Sequence, residues 1–273
     1  MHFEISVDLD ATLGCGQAHR WHKENNGDWT GMIGRDIVTL KGTENGFDCK
    51  GCSNRINIDR YFRSQDNLSE IYDEISSADP YVADLAHRCP GMRILEQPKW
   101  ECLATYILAT CCNISRIKKM TASLCKLCGK NLGKIYSFPS PREIINKEEE
   151  LPFCRLGFRE KRLSTLAHNI EDGTLNLEKL SEYNTKDLTD TLKTFDGVGP
   201  KVADCVALFA YGRLESFPVD SRISNTLKEI YDISGSYRKM SSFGQQKFGK
   251  YAGYAQELLY HRFPIVQSFS EIS

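Results

Sequence analysis

The sequence predicts an α+β protein: an antiparallel sheet at the N-terminus followed by a chain of helices. Three observations carry this. Over residues 1–60 apolar side chains fall on alternate positions, the period of a half-buried strand. From about Ile58 the apolar spacing changes to three and four residues and keeps that period. Late in the chain, Gly197-Val198-Gly199 separates two strongly helical stretches, which reads as a helix, a glycine hairpin and a second helix.

Phe3, Ile5, Val7 and Leu9 alternate with His2, Glu4, Ser6 and Asp8, which predicts a first strand over residues 3–9. Further strands are expected at residues 29–33, 37–40 and 47–49, joined by Gly34-Arg35-Asp36 and by Glu44-Asn45-Gly46. Asn-Gly between apolar runs is a strong hairpin signal. Among the helices, Asp79-Pro80 is a cap and first-turn pair ahead of Val82, Leu85, Ala86 and Cys89. Pro98 opens an apolar helix carrying Trp100, Leu103, Ala104, Ile107 and Leu108, and Asn113 caps the next, with Ile114, Ile117, Leu124 and Leu127 inward. Residues 137–150, rich in proline and charge, read as a connector. Leu188, Leu192 and Phe195 mark the helix before the glycine hairpin; Pro200, Val202, Cys205, Val206 and Phe209 mark the one after it. A helix around Ser221–Tyr231, a break at Ser234-Gly235-Ser236 and one last helix bearing Phe248, Ala252, Ala255, Leu258 and Leu259 complete the chain.

Composition bounds the function. The chain has 273 residues, 41% hydrophobic and 26% charged, as in a soluble globular protein. No apolar run approaches the roughly 20 residues of a membrane span, so no membrane is expected as a partner. The N-terminal MHFEISVDLD does not read as a secretory signal. Eleven cysteines without such a signal suggest free thiols in a reducing compartment. Two CxxC pairs, Cys49/Cys52 and Cys125/Cys128, lie in segments that read differently, so neither a metal nor any other cofactor is expected. Net charge is -1, yet residues 116–134 hold Arg116, Lys118, Lys119, Lys126, Lys130 and Lys134 without an acid, a local basic stripe suited to phosphates.

The glycine hairpin carries the chemistry. Two glycines let the backbone turn and leave N–H groups exposed at a helix N-terminus, a natural seat for a phosphate. Lys201 lies at the start of that helix, and Asp220 follows 19 residues on in Pro218-Val219-Asp220. This stretch resembles the helix-hairpin-helix-GPD superfamily of DNA base-excision glycosylases. Further stretches resemble the eukaryotic-type 8-oxoguanine DNA glycosylase/AP lyase family in particular: Gly16-Gln17-Ala18-His19-Arg20-Trp21, Glu101-Cys102-Leu103 through Asn113-Ile114-Ser115-Arg116-Ile117, Leu156-Gly157-Phe158-Arg159, and Tyr251-Ala252-Gly253-Tyr254-Ala255-Gln256. No cysteine follows Cys205, which sets the chain apart from superfamily members with a four-cysteine iron–sulfur loop.

The resemblance implies a TATA-binding-protein-like sheet domain and two helical subdomains flanking a lesion pocket. In residues, that is 1–78, then 79–98 together with 235–273, then 99–234. It implies excision of 8-oxoguanine and formamidopyrimidine from double-stranded DNA by a monomer, in the nucleus of a eukaryote or at the nucleoid of a prokaryote. By the same resemblance, Lys201 is the nucleophile that attacks the sugar C1′ and forms a Schiff base, and Asp220 assists. Cys205 and Tyr260 sandwich the flipped base, Gln256 reads its Watson–Crick edge, and the Gly16 carbonyl accepts from N7–H. Gly197, Val198, Gly199 and Arg222 grip the DNA backbone. Cys111, Arg116, Phe158 and Arg159 face the orphaned opposite base. Cys111 and Cys112 stand where the family has asparagines, Phe158 where it has tyrosine, Tyr260 where it has phenylalanine, Arg222 where it has histidine and Asp196 where it has proline. Two alternatives share the hairpin, a non-catalytic DNA-structure binder and an alkyl-base glycosylase; neither needs Lys201 together with Asp220.

Overall fold

A computed structural model describes residues 1–261. The last part of the segment 235–273, residues 262–273, lies outside the described residues. Five antiparallel strands form one sheet: β1 (His2–Glu4), β2 (His22–Lys23), β3 (Trp29–Ile33), β4 (Asp36–Thr43) and β5 (Gly46–Lys50), in the order β1-β5-β4-β3-β2. The β4–β5 hairpin pairs Thr43 with Gly46. Gly46 has φ +147, and a Cβ there would lie 2.0 Å from the Phe3 carbonyl oxygen, so the close approach of β1 requires glycine. The expected strand over residues 3–9 stops at Glu4. Asp8 ends it: its carboxylate accepts from the Ala11 N–H at 2.9 Å and starts α1 (Leu9–Gly14), so Leu9 joins the sheet's core from a helix.

After the sheet come α2 (Arg55–Tyr61), α3 (Leu68–Ala78), α4 (Pro80–Arg88), α5 (Lys99–Leu108), α6 (Ile114–Cys128), α7 (Pro141–Ile145) and α8 (Arg159–Glu171). These are followed by α9 (Thr185–Leu192), α10 (Pro200–Tyr211), α11 (Ser221–Tyr231), α12 (Tyr237–Phe248) and α13 (Ala252–His261). The caps read from sequence are present: Asn113 accepts from the Arg116 N–H, and Asp79 from the Val82 N–H, both at 2.9 Å. Two expectations change. The connector 137–150 contains α7, which a reciprocal Ser140/Glu143 capping box nucleates. The single last helix is two, because Gly249, at φ +59, turns the chain between α12 and α13.

Three apolar clusters hold the fold. Phe3, Trp21, Trp29, Val38, Phe47 and Phe62 fill the sheet side. A larger cluster joins α3, α4 and α5 to α10 and α13, with Tyr106 of α5 stacked on Phe209 of α10 at 5.7 Å. A third packs α6 against α8 and the turn before it. Asp79, 4% exposed, ties distant elements across the second cluster. Besides capping α4 it accepts from the Tyr231 hydroxyl at 3.0 Å and pairs with Lys247 at 3.0 Å.

Replacing Asp79 with alanine removes a cap and strands a hydroxyl and an ammonium. The expected cost is about 3 kcal/mol in urea unfolding, and a loss below about 0.5 kcal/mol would contradict this role for a buried cap.

Candidate active site

The hairpin is built from both sides. Leu188 and Leu192 bury the inner face of α9, and Val198 is buried beneath the turn. Gly197 has φ +86, and a Cβ there would fall 2.6 Å from the Arg162 side chain. Gly199 caps α10 with extended backbone and no side-chain hydrogen bond, so the first N–H groups of α10 carry no side-chain partner. A helix start of this kind suits a phosphate.

Beside it opens a cavity of about 500 Å³. It brings together Gly16, Cys111, Gly197, Gly199, Lys201, Cys205, Asp220, Gln256 and Tyr260, most of the residues singled out from sequence. Lys201 stands in the first turn of α10 with its ammonium 4.9 Å from the centre of the Tyr106 ring. Asp220 is the N-cap of α11 and accepts from the Ile223 N–H at 2.9 Å, which pins its carboxylate at a helix N-terminus. Cys205 lies one turn after Lys201, and burial pushes its thiol up to about 12, so it stays a neutral wall. Tyr260 rises from α13 with the Arg222 guanidinium 4.9 Å over its ring; burial pushes its hydroxyl up to about 12. Gln256 is 4% exposed and its Oε1 has no partner.

The loop carrying Gly16 is held by Gln17. Its amide donates to the Thr12 carbonyl at 2.9 Å and to the Arg93 carbonyl at 2.8 Å, and its Oε1 accepts from the Leu95 N–H at 2.9 Å. Its own carbonyl accepts from Gln97 at 2.6 Å and from the Tyr106 hydroxyl at 3.3 Å. Gly16 itself sits at φ +100 with Ile114 close against it.

The remaining sequence-marked residues do not line the cavity, though Arg222 and Arg159 touch residues that do. Arg116 and Arg222 are exposed. Phe158 is 54% exposed, with the Arg159 and Arg162 guanidinium groups 4.3 Å and 5.1 Å from its ring centre. Arg159 is buried and donates to the carbonyls of Thr110 at 3.0 Å, Leu156 at 3.2 Å and Cys111 at 3.3 Å. It clamps the turn that presents Cys111 at φ +50. Among the described residues no group of three or more His, Cys, Asp or Glu is arranged to hold a metal.

Three further wall residues stand out in the structure. Tyr106 supports the lysine. His19 is 6% exposed with neither ring nitrogen partnered; burial, then Lys201 and Lys118, lower it to about 3, so it is neutral. Glu257 is 4% exposed and its Oε2 has no partner. Burial raises it to about 7; the Asp220 charge adds to this, while the Cys15 contact and Lys201 oppose it. A carboxyl between the apolar positions Ala255 and Leu258 was the available signal.

Comparison with known proteins places this geometry. The profile of the 8-oxoguanine DNA glycosylase N-terminal domain matches residues 2–103. The N-glycosylase/DNA lyase OGG1 of Arabidopsis thaliana is 29% identical over 303 residues, covering 99% of this chain and 82% of the relative. MBOgg1, solved with a low-affinity DNA ligand, superposes with TM-score 0.89 at 32% identity over 94% of this chain and 92% of its own. The Clostridium acetobutylicum 8-oxoguanine glycosylase/lyase, solved with duplex DNA carrying cytosine opposite 8-oxoguanine, gives TM-score 0.88 at 31% identity over 94% and 91%.

The buried Glu257 predicts a pH signature. Its folded value near 7 lies above an ordinary 4.5, so its contribution is full below about 4.5 and is lost as pH rises through about 7. Relative to Glu257→Gln, the wild type is expected to lose about 3 kcal/mol between these limits. Urea unfolding at pH 5 and pH 8 checks this; an equal gap at both would contradict it.

Proposed function

The chain belongs to the 8-oxoguanine DNA glycosylase/lyase family, and from that premise we propose that it excises 8-oxoguanine and ring-opened formamidopyrimidine from duplex DNA and then nicks the strand. The carrying observation is the Lys201 amine and the Asp220 carboxylate on the wall of one cavity with room for a base, with the hairpin's glycines beside them. An enzyme acting on a base must take it out of the stack and hold it. Hairpin N–H groups, assisted by Arg222, would grip the phosphates while the base enters between Cys205 and Tyr260. Lys201, once it has given up a proton, attacks C1′; the glycosidic electron pair leaves with the base. Asp220 stabilises the positive charge that develops on the sugar. Loss of the sugar oxygen's ring bond gives a Schiff base on Lys201, and removal of a C2′ proton then expels the 3′ phosphate.

Lesion choice would rest on the Gly16 carbonyl, which accepts from N7–H, with Gln256 Oε1 taking a donor of the Watson–Crick edge. Plain guanine presents a bare N7 acceptor to that carbonyl. On the opposite strand Arg116 is free to donate to an orphaned cytosine, with Phe158 as the wedge. Arg159 would join it only by releasing the Thr110, Leu156 and Cys111 carbonyls, so its first part is to shape that turn. The division into residues 1–78, 79–98 with 235–273, and 99–234 is the arrangement we propose around the cavity. No described helix is long and apolar enough to cross a membrane, and we infer a place of action wherever the cell keeps its DNA, the nucleus or the nucleoid.

Single-turnover excision tests the reading. An acceptor facing the Gly16 carbonyl costs roughly 1–3 kcal/mol, so 8-bromoguanine should be released roughly 5- to 150-fold more slowly than 8-oxoguanine. In the same assay Arg116→Ala should weaken the preference for cytosine opposite the lesion. Equal release of 8-bromoguanine would refute the Gly16 contact.

A further inference from the structure

Four buried polar atoms or groups on the cavity wall are left open: Gln256 Oε1, Glu257 Oε2, Thr110 Oγ1 and the His19 ring nitrogens. Buried polar groups that lack a partner are rare, and on a cavity wall such a group is placed to meet whatever enters the cavity. Glu257 differs from the others in being a carboxyl. It follows Gln256 on α13 and lies against Cys15, the residue before Gly16. Glu257 and Gly16 thus line the same cavity, with Cys15 joining the two.

We propose that Glu257 is a specificity-determining residue that reads the flipped base beside Gly16, donating from a protonated carboxyl to a carbonyl oxygen flanking N7–H. The assignment rests on the lesion reading given above. An oxidised purine presents carbonyl, N–H, carbonyl along that edge. Against it the wall presents a carboxyl O–H next to a backbone carbonyl. Guanine offers one carbonyl and a bare nitrogen, so it satisfies this pair less well. An ionised Glu257 would instead set a carboxylate against a carbonyl oxygen and repel it.

The groups facing Glu257 come from every wall: Cys15 after α1, Tyr106 on α5, Lys201 and Cys205 on α10, Asp220 ahead of α11, and Tyr260 on α13 itself. Burial and the Asp220 charge favour the neutral acid, the Cys15 contact and Lys201 oppose them, and the balance lies at about 7. Glutamine keeps a donor of similar shape without titrating, and every other facing group is common to both proteins. Their ratio therefore isolates Glu257.

The test is single-turnover kinetics on duplex carrying 8-oxoguanine opposite cytosine and on duplex carrying an abasic site, for wild type, Glu257→Gln and Glu257→Ala, from pH 6 to pH 8. Excision by wild type relative to Glu257→Gln should fall about ten-fold over that range. At pH 6 Glu257→Ala should excise about ten-fold more slowly than wild type. Its loss on abasic DNA, which has no base to read, should be smaller. A pH-independent ratio, or an equal loss on both substrates, overturns the proposal, and the glutamine ratio decides the matter if the alanine protein does not fold. Failure of wild type itself on 8-oxoguanine would instead overturn the lesion reading.

Discussion

The constraint on which the structure depends is the sharing of one mostly buried cavity by a lysine and two carboxyls. In the proposed reaction Lys201 supplies the amine and Asp220 the carboxylate, and the fold fixes the position of each. Asp220 is tied to the N-terminus of α11 by the Ile223 N–H at 2.9 Å. Lys201 rests on the Tyr106 ring, and that ring is itself fixed against Phe209. Glu257 is left to desolvation, which raises it to about 7, so that it passes from neutral to charged across neutral pH.

Parts distant in sequence hold this arrangement to its shape. Gln17 binds the Gly16 loop to the segment 93–97 and to Tyr106, so the sheet domain supplies one wall of the cavity. Arg159 clamps the turn after α5 and so places Cys111 at the rim. Asp79 joins α4 to α11 and α12 behind the pocket. Each is a buried polar residue with its bonds satisfied, the kind of contact that fixes geometry more than it adds net stability.

How much of this was legible in sequence followed the range of the forces involved. The sheet, the capped helices and the glycine hairpin were, because period, cap chemistry and positive φ are local. The end of β1 at Glu4 was missed because alternation continues through Leu9 while Asp8 is already a helix cap. The split of the last helix was missed because Gly249 interrupts an apolar pattern that stays in phase. Glu257, His19 and the inward-turned Arg159 depend on which surfaces meet in space. No local pattern shows that a glutamate on a closing helix faces a cavity instead of water.

The central claim is that Lys201 bonds covalently to the damaged strand. The most direct measurement is borohydride trapping on duplex DNA containing 8-oxoguanine, comparing wild type with Lys201→Gln. The account predicts a stable cross-linked species for wild type and none for the variant, with the variant still binding the duplex. A cross-link of equal yield in Lys201→Gln would contradict it.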